Sequence, residues 1–221
     1  MNYLIHKLLN SEELEILRKN LDKEDSFWED GKKTAGKHAA EVKNNLQLKR
    51  DINLSKKLSK LIIKKILSND LIKSFTLPKK IHGTMFSKST SGMKYGSHID
   101  NAYMSSGRAD LSFTIFLNCK DNYDGGALII ESFNSEEKFK LDAGEIIIYP
   151  STFLHSVEEV IAGERLVFIG WIESYVKSIE EREYLFDLDA AARSLLSKYG
   201  RSDEVDLIFK SYSNLLRRLG S

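Results

Sequence analysis

The stretch "YGSHID", residues 95–100, sets a histidine and an aspartate two positions apart shortly after a glycine. In an extended strand successive side chains alternate faces, so His98 and Asp100 would point the same way and hold one object between them. His-x-Asp alone is a weak signal, because the pair arises by chance in many chains. A second imidazole, His155 in "YPSTFLHSV", stands near the start of a candidate strand well downstream. Two imidazoles and one carboxylate make the facial triad of a non-haem Fe(II) site. Three ligands on one face leave three positions open, enough for a bidentate co-substrate and dioxygen. Arg165 follows near the beginning of "RLVFIGWIE". An always-charged guanidinium inside a β-barrel needs an anion, and its planar fork matches a carboxylate bidentately. 2-Oxoglutarate satisfies both demands, its keto-acid end on the metal and its distal carboxylate on Arg165.

Positioning these groups requires strands. From about 81 to 173 the chain offers "IHGTMFS", "MKYGSHID", "LSFTIFLN", "ALIIES", "KFKL", "EIIIYP", a run after His155 and "RLVFIGWIE". They are short β-branched or aromatic runs separated by "DNYDGG", "DAG" and "IAG". About eight such strands predict a double-stranded β-helix, or jelly roll. Gly125 and Gly126 after Asp124 read as a hairpin turn. Before this core, Asn10 with Glu13 resembles a capping box, with Leu14, Leu17 and Leu21 at helical spacing, so a helix is expected over 11–21. Residues 51–68 place Leu54, Leu58, Leu61, Ile62 and Leu67 near one stripe of an amphipathic helix. Between them, residues 27–48 read as a long loop with a short strand at its end, and loops of that length are commonly functional. After Lys177 the pattern returns to helix, ending at Gly200, and a second helix is expected over 202–219. The fold expected is mainly β with flanking helices: a jelly-roll core over about 81–175, N-terminal supporting helices and a C-terminal helical appendage. The division is 1–177 for the main domain and 178–221 for the extension.

Bulk properties restrict the function classes. The 33 Lys and Arg against 32 Asp and Glu give a net charge of +1, so no global attraction to nucleic acid or to an anionic membrane is expected. The single cysteine, Cys119, excludes an intramolecular disulfide and a multi-cysteine zinc site and fits a reducing compartment. The N-terminal apolar stretch is interrupted too early for a signal peptide, and no window approaches a transmembrane helix. A cytoplasmic protein is the default expectation. His6, His38 and His82 lack partners at useful spacing and read as structural or surface residues. Phe168 and Trp171 read as core. Arg108 and Asp110 either pair with each other to shape a rim or belong to a solvated loop.

"YGSHIDNA", "RADLSFTIFLN", "YDGGALIIE", "LDAGEIIIYPSTFLHSV" and "GERLVFIGWIESYV" together resemble the PKHD-type hydroxylases, a branch of the prolyl-4-hydroxylase-like Fe(II)- and 2-oxoglutarate-dependent dioxygenases. The resemblance extends to "WEDGKKTAG", "VKNNLQL", "YLFDLDAAARSL" and "NLLRRL", and so covers nearly the whole chain. It implies His98, Asp100 and His155 as iron ligands and Arg165 as the 2-oxoglutarate anchor, with no catalytic residue beyond the ligands. It also implies O2 as oxidant, with ascorbate as an accessory reductant, and hydroxylation of a C–H bond in a peptide (peptidyl proline) or a small-molecule metabolite. Relatives often carry tyrosine where this chain has Phe116, which leaves the second polar contact to 2-oxoglutarate to Tyr95 or Thr114. Lys43, Asn45 and Gln47 alternate so as to face the iron from one strand, and a lysine there favours an anionic or carbonyl-bearing substrate. The competing readings are a cupin-like metal-binding module and a metal-dependent enzyme that is not an oxygenase. The non-oxygenase enzyme would not need Arg165, and a pure binding module could lose a metal ligand without penalty.

Overall fold

The computed structural model describes residues 3–22, 27–34, 36–131 and 135–221, without the side chains of residues 37 and 38. Its N-terminal part forms β1 (Leu4–Lys7), α1 (Ser11–Leu21), β2 (Trp28–Asp30), a 3-10 turn at Gly31–Thr34, α2 (Lys37–Glu41), β3 (Lys43–Asn44) and β4 (Leu46–Leu48). Two helices follow, α3 (Asn53–Ser68) and α4 (Asp70–Thr76). The β-rich middle comprises β5 (Pro78–Thr90), β6 (Lys94–His98), β7 (Tyr103–Met104), β8 (Gly107–Arg108), β9 (Leu111–Phe116), β10 (Tyr123–Gly125), β11 (Leu128–Glu131), β12 (Glu136–Phe139), β13 (Glu145–Pro150), β14 (His155–Val157) and β15 (Val160–Ser174). The chain ends with α5 (Ile179–Tyr199) and α6 (Asp203–Leu219).

One sheet runs β1-β13-β9-β15-β5-β4-β2, with β10 added to β15, and the facing sheet runs β12-β11-β14-β6-β3. These two antiparallel sheets are the jelly-roll core. Alternation along β9 shows how the layers form. Leu111, Phe113 and Ile115 join the cluster that contains Leu14, Leu17 and Leu21 of α1 and Leu58, Ile62 and Ile66 of α3. Ser112 and Thr114 turn to the opposite face, into a cavity between the sheets. Phe116, on that same inner face, packs with Leu128, Ile130, Ile147 and Val167. A strand covered on both faces reads as a continuous apolar run, which is why "LSFTIFLN" shows little amphipathicity.

The helices expected over 11–21, 51–68 and 202–219 are present, and the Asn10–Glu13 capping box is made in both directions at 2.9 Å. On α3, Leu61 and Leu67 are exposed while Ile66 is buried, so the buried stripe is Leu58, Ile62 and Ile66. The uniform spacing of four residues makes that stripe narrower than the broad one expected. Residues 27–48 are not a loop but a chain of very short elements whose strands complete both sheets. "IAG" does not end a strand: β15 runs through it, and Gly163, at φ +78°, lies opposite Tyr123 where a Cβ would come within 2.3 Å of the Asn122 carbonyl. Gly125 and Gly126 are not a hairpin turn either. β10 pairs with β15, whereas β11 pairs with β12 and β14, so the glycines carry the chain from one sheet to the other. His6 and His82 are structural as expected, His6 meeting Asn69 and His82 bonding Ser106 and the Arg108 carbonyl. The His38 side chain lies outside the described residues. No helix among the described residues is long and apolar enough to cross a membrane.

Candidate metal and co-substrate site

The two sheets leave a cavity of about 600 Å³, within the range usual for small-molecule sites of roughly 300–1,000 Å³. β6 and β14 are neighbours in the smaller sheet, with His98 directly opposite His155. Asp100 lies just beyond the paired end of β6. One ligand atom from each of these three residues falls within 4.8 Å of the other two. His98 Nδ1 meets the Gly96 carbonyl at 2.9 Å and His155 Nδ1 meets the Phe153 carbonyl at 3.1 Å. An imidazole that donates from Nδ1 to a carbonyl has Nε2 free as a lone-pair donor, the usual outer support of a metal-bound histidine. Burial, and then the neighbouring His155, hold the His98 pKa well below its ordinary value, so the ring is neutral and competent as a ligand. Asp100 accepts from the Ser112 hydroxyl at 2.6 Å, and Ser112 in turn meets Ser151 at 2.7 Å. The carboxylate is therefore aimed by strand β9 across the barrel.

Register explains two further placements. Between β14 and β6 the pairing slips, His155 opposing His98 but Val157 opposing Tyr95. An irregularity of this kind shifts the alternation of faces. Tyr95 and His98 end up stacked, with ring centroids 3.7 Å apart. Gly96 between them is required by a close approach: a Cβ there would lie 2.8 Å from the Val42 Cβ. That contact supplies the reason for a glycine ahead of the histidine.

Arg165 enters the same cavity from β15 and is only 3% exposed. Among the described residues no carboxylate pairs with it, and its Nε has no hydrogen-bond partner. Burial lowers its pKa, an effect partly offset by Tyr123 and Tyr149. Its guanidinium lies 5.5 Å from the centroid of Phe116, so the position that relatives fill with tyrosine here supplies a ring face. Gly126 has φ +65°, and a Cβ there would stand 3.2 Å from the Arg165 side chain; its absence leaves room for the long side chain to pass. The residues present thus fit a bound anion at Arg165 and a divalent metal at the triad.

Thr114 and Tyr95 both line the cavity. Tyr123 and Tyr149, whose hydroxyls are pushed towards the neutral form by burial, are the additional polar neighbours of Arg165, and sequence reading missed both. Tyr149 also meets His155 edge-on at 5.4 Å. The only trace of Tyr149 in sequence is an aromatic residue inside the apolar run "EIIIYP", which core packing explains equally well, and Tyr123 stands in the polar separator "DNYDGG". Ser112 and Ser151 were missed for a similar reason.

Lys43 and Asn45 line the cavity, whereas Gln47 does not. The single strand expected for these residues is broken at Asn45: β3 pairs with β6 in one sheet and β4 with β5 in the other. Gln47 is buried and accepts from Thr34 at 2.5 Å. Asn45 donates to Ser87 at 2.7 Å, and its Oδ1 occupies the space a side chain on Gly31 would need. Trp171 also lines the cavity rather than the helix-side core, while Phe168 is fully buried in that core. Arg108 and Asp110 do pair, at 2.7 and 2.9 Å, and Asp110 also accepts from the Ser174 amide, which fixes the β7–β8 ribbon against β15.

A family profile described as "2OG-Fe(II) oxygenase superfamily" matches residues 84–173, and one described as "PKHD-type hydroxylase C-terminal domain" matches residues 180–220. A PKHD-type hydroxylase of Prochlorococcus marinus (strain MIT 9215) is 75% identical over 220 residues, with both chains covered in full. Another from the same species (strain MIT 9211) is 57% identical, again with both chains covered in full. Among solved structures, a Pseudomonas putida prolyl-4-hydroxylase superposes with a TM-score of 0.58 at 16% identity, over 78% of this chain and 92% of that one. A Trichoplax adhaerens prolyl hydroxylase, in complex with a hypoxia inducible factor oxygen degradation domain peptide fragment, gives 0.58 at 16% identity over 83% and 86%. Those two likenesses speak to the fold.

Proposed function

This chain belongs to the PKHD-type hydroxylases of the 2OG-Fe(II) oxygenase superfamily, and on that premise we propose that His98, Asp100 and His155 hold its Fe(II) and that Arg165 anchors 2-oxoglutarate. The observation that carries the assignment is a buried guanidinium with no acidic partner among the described residues, facing the same cavity as three convergent ligand atoms. When bound, iron with 2-oxoglutarate supplies the O2-dependent hydroxylation of a C–H bond, the chemistry that no protein side chain provides. The chain's own residues do the remainder. Ser112 orients Asp100, the Gly96 and Phe153 carbonyls fix the two imidazoles, and Tyr123 and Tyr149 help Arg165 to present a permanent charge to a carboxylate. Tyr95 and Thr114 remain the candidate further contacts to the co-substrate.

The substrate is a peptide, such as one carrying proline, or a small metabolite, and ascorbate acts as an accessory reductant. The single cysteine and near-neutral charge support a cytoplasmic location. Residues 1–177 form the catalytic unit and 178–221 an extension whose helices pack on it through Leu185, Tyr212, Leu216 and Leu219. A cupin-like enzyme or binding module without 2-oxoglutarate leaves Arg165 unexplained. The test is anaerobic: Fe(II)-loaded protein is titrated with 2-oxoglutarate, and succinate is then measured after admitting O2. A visible charge-transfer band followed by succinate supports the assignment. Tight Fe(II) binding with neither band nor succinate would reject it.

A further inference from the structure

We infer that the β3 side of the cavity is an oxyanion subsite, and that the primary substrate carries a carboxylate received there by Lys43, with Arg50 at the rim. The inference rests on the dioxygenase reading and narrows its substrate. Lys43 is 5% exposed, lines the cavity, and among the described residues has as its one hydrogen-bonding contact the Thr34 hydroxyl at a long 3.5 Å. Its ammonium stands 5.1 Å over the Tyr95 ring, the same ring that stacks on His98. Among the described residues no carboxylate forms an ion pair with it. A lysine is rarely buried without a partner, because removing an ammonium from water is costly unless an opposite charge replaces the solvent.

Charge around the cavity points the same way. Among the described residues its lining holds three cations, Lys43, Arg50 and Arg165, against one carboxylate, Asp100. The two charges of a divalent metal and the two of 2-oxoglutarate cancel, so the positive excess remains for the substrate. Among the described residues Arg50 bonds only the Gly83 carbonyl and the Met85 sulfur, at 3.2 and 3.4 Å, and it lies close enough to Lys43 to repel it. Lys43 and Arg165 stand on opposite sheets, so the co-substrate anchor and this subsite are separate. A proline inside a polypeptide offers Lys43 no negative charge. A free amino-acid-like acid, or a chain end, does.

The experiment uses the full chain loaded with Zn(II) and N-oxalylglycine, which fill the metal and Arg165 sites without turnover. Calorimetric titrations compare matched probes: N-acetylproline with its amide, and cyclohexanecarboxylate with its amide. Wild type is expected to bind the acids about 10-fold or more tightly than the amides, as a charge-assisted contact implies. In Lys43→Met the preference falls to within about twofold, and Lys43→Arg restores most of it. Equal affinity for acid and amide in wild type, no saturable binding of either acid, or a preference that survives in Lys43→Met overturns the proposal. If Lys43→Met does not fold, Arg50→Gln and the wild-type comparison carry the test, an undiminished preference in Arg50→Gln removing Arg50 from the subsite. Loss of Zn(II) or N-oxalylglycine binding in wild type would instead count against the dioxygenase reading. Repeating the acid and amide titrations on metal-free protein separates the two.

Discussion

Replacing Lys43 with methionine should stabilise the ligand-free protein near neutral pH, although it removes a polar contact. Burial, the largest influence, and then repulsion from Arg50 lower the Lys43 pKa from 10.5 to about 8, despite attraction from Asp100 and Asp30. At about 1.4 kcal/mol per pH unit, that interval corresponds to roughly 3 kcal/mol of strain in the charged folded form. The ammonium also contributes about 0.5–1 kcal/mol over Tyr95, which methionine forfeits, so the expected net gain at pH 7 is about 2 kcal/mol. The sign follows from proton counting. Below about pH 8 folded and unfolded chains both carry the proton and the full cost is present. Between about 8 and 10.5 the folded chain releases it while the unfolded chain retains it, so wild-type stability rises with pH relative to the variant. Urea unfolding of both proteins at several pH values from 7 to 10 reads the difference directly, with other titrations cancelling between them. A variant less stable than wild type at pH 7, or a difference that does not shrink as pH rises, would refute the picture of a strained buried charge.

The site assignments make three further predictions. His98→Ala or His155→Ala should abolish both metal binding and 2-oxoglutarate turnover, since few protein ligands remain; full metal occupancy by elemental analysis in either variant would reject the triad. Arg165→Ala should keep the metal but weaken 2-oxoglutarate by roughly 10- to 150-fold, equivalent to about 1.5–3 kcal/mol, with Arg165→Lys intermediate because its point charge lacks the fork; an unchanged titration moves the anchor elsewhere. Ser112→Ala frees Asp100 from its 2.6 Å hydrogen bond and should lower metal affinity by about 10- to 100-fold, as loss of an outer-shell partner commonly does, which competition with a chelator measures.

The convergence of His98, Asp100 and His155 was legible because the His-x-Asp pair is joined downstream by a second histidine, His155, at the start of a candidate strand. The inward placement of Arg165 was legible for a chemical reason: a charge interrupting a strand that alternation turns inward calls for an anion. Ser112, Tyr123, Tyr149 and Ser151 were not, because their roles depend on which strands face one another across the barrel, and pairing between distant segments leaves no local periodicity. The elements between Trp28 and Leu48 run two to five residues, too short for a period of 2 or 3.6 to declare itself. Gly163 and Gly125 misled in a consistent way. Each was read as a turn, and each instead allows a close backbone approach, to Asn122 and to Glu159 respectively.

Unpartnered buried polar atoms concentrate where ligands are expected. Of those in the described residues, Asn45 Oδ1, Arg165 Nε and Trp171 Nε1 belong to cavity-lining residues, and the Tyr123 hydroxyl neighbours Arg165. Such atoms cost about 1–3 kcal/mol each when left without a partner, a cost that folded proteins commonly tolerate at functional sites. Ligands that satisfy them should therefore raise stability well beyond a generic salt effect. At 100 times its dissociation constant a ligand adds about 2.7 kcal/mol, which for a chain of this size is a rise of roughly 5–10 °C in melting temperature. Mn(II) together with 2-oxoglutarate should produce that rise in wild type. Arg165→Ala should retain the part due to Mn(II) alone and lose the further increment from 2-oxoglutarate. An equal increment from 2-oxoglutarate in wild type and Arg165→Ala, measured by calorimetry at matched ionic strength, would mean that the buried guanidinium is not where the co-substrate binds.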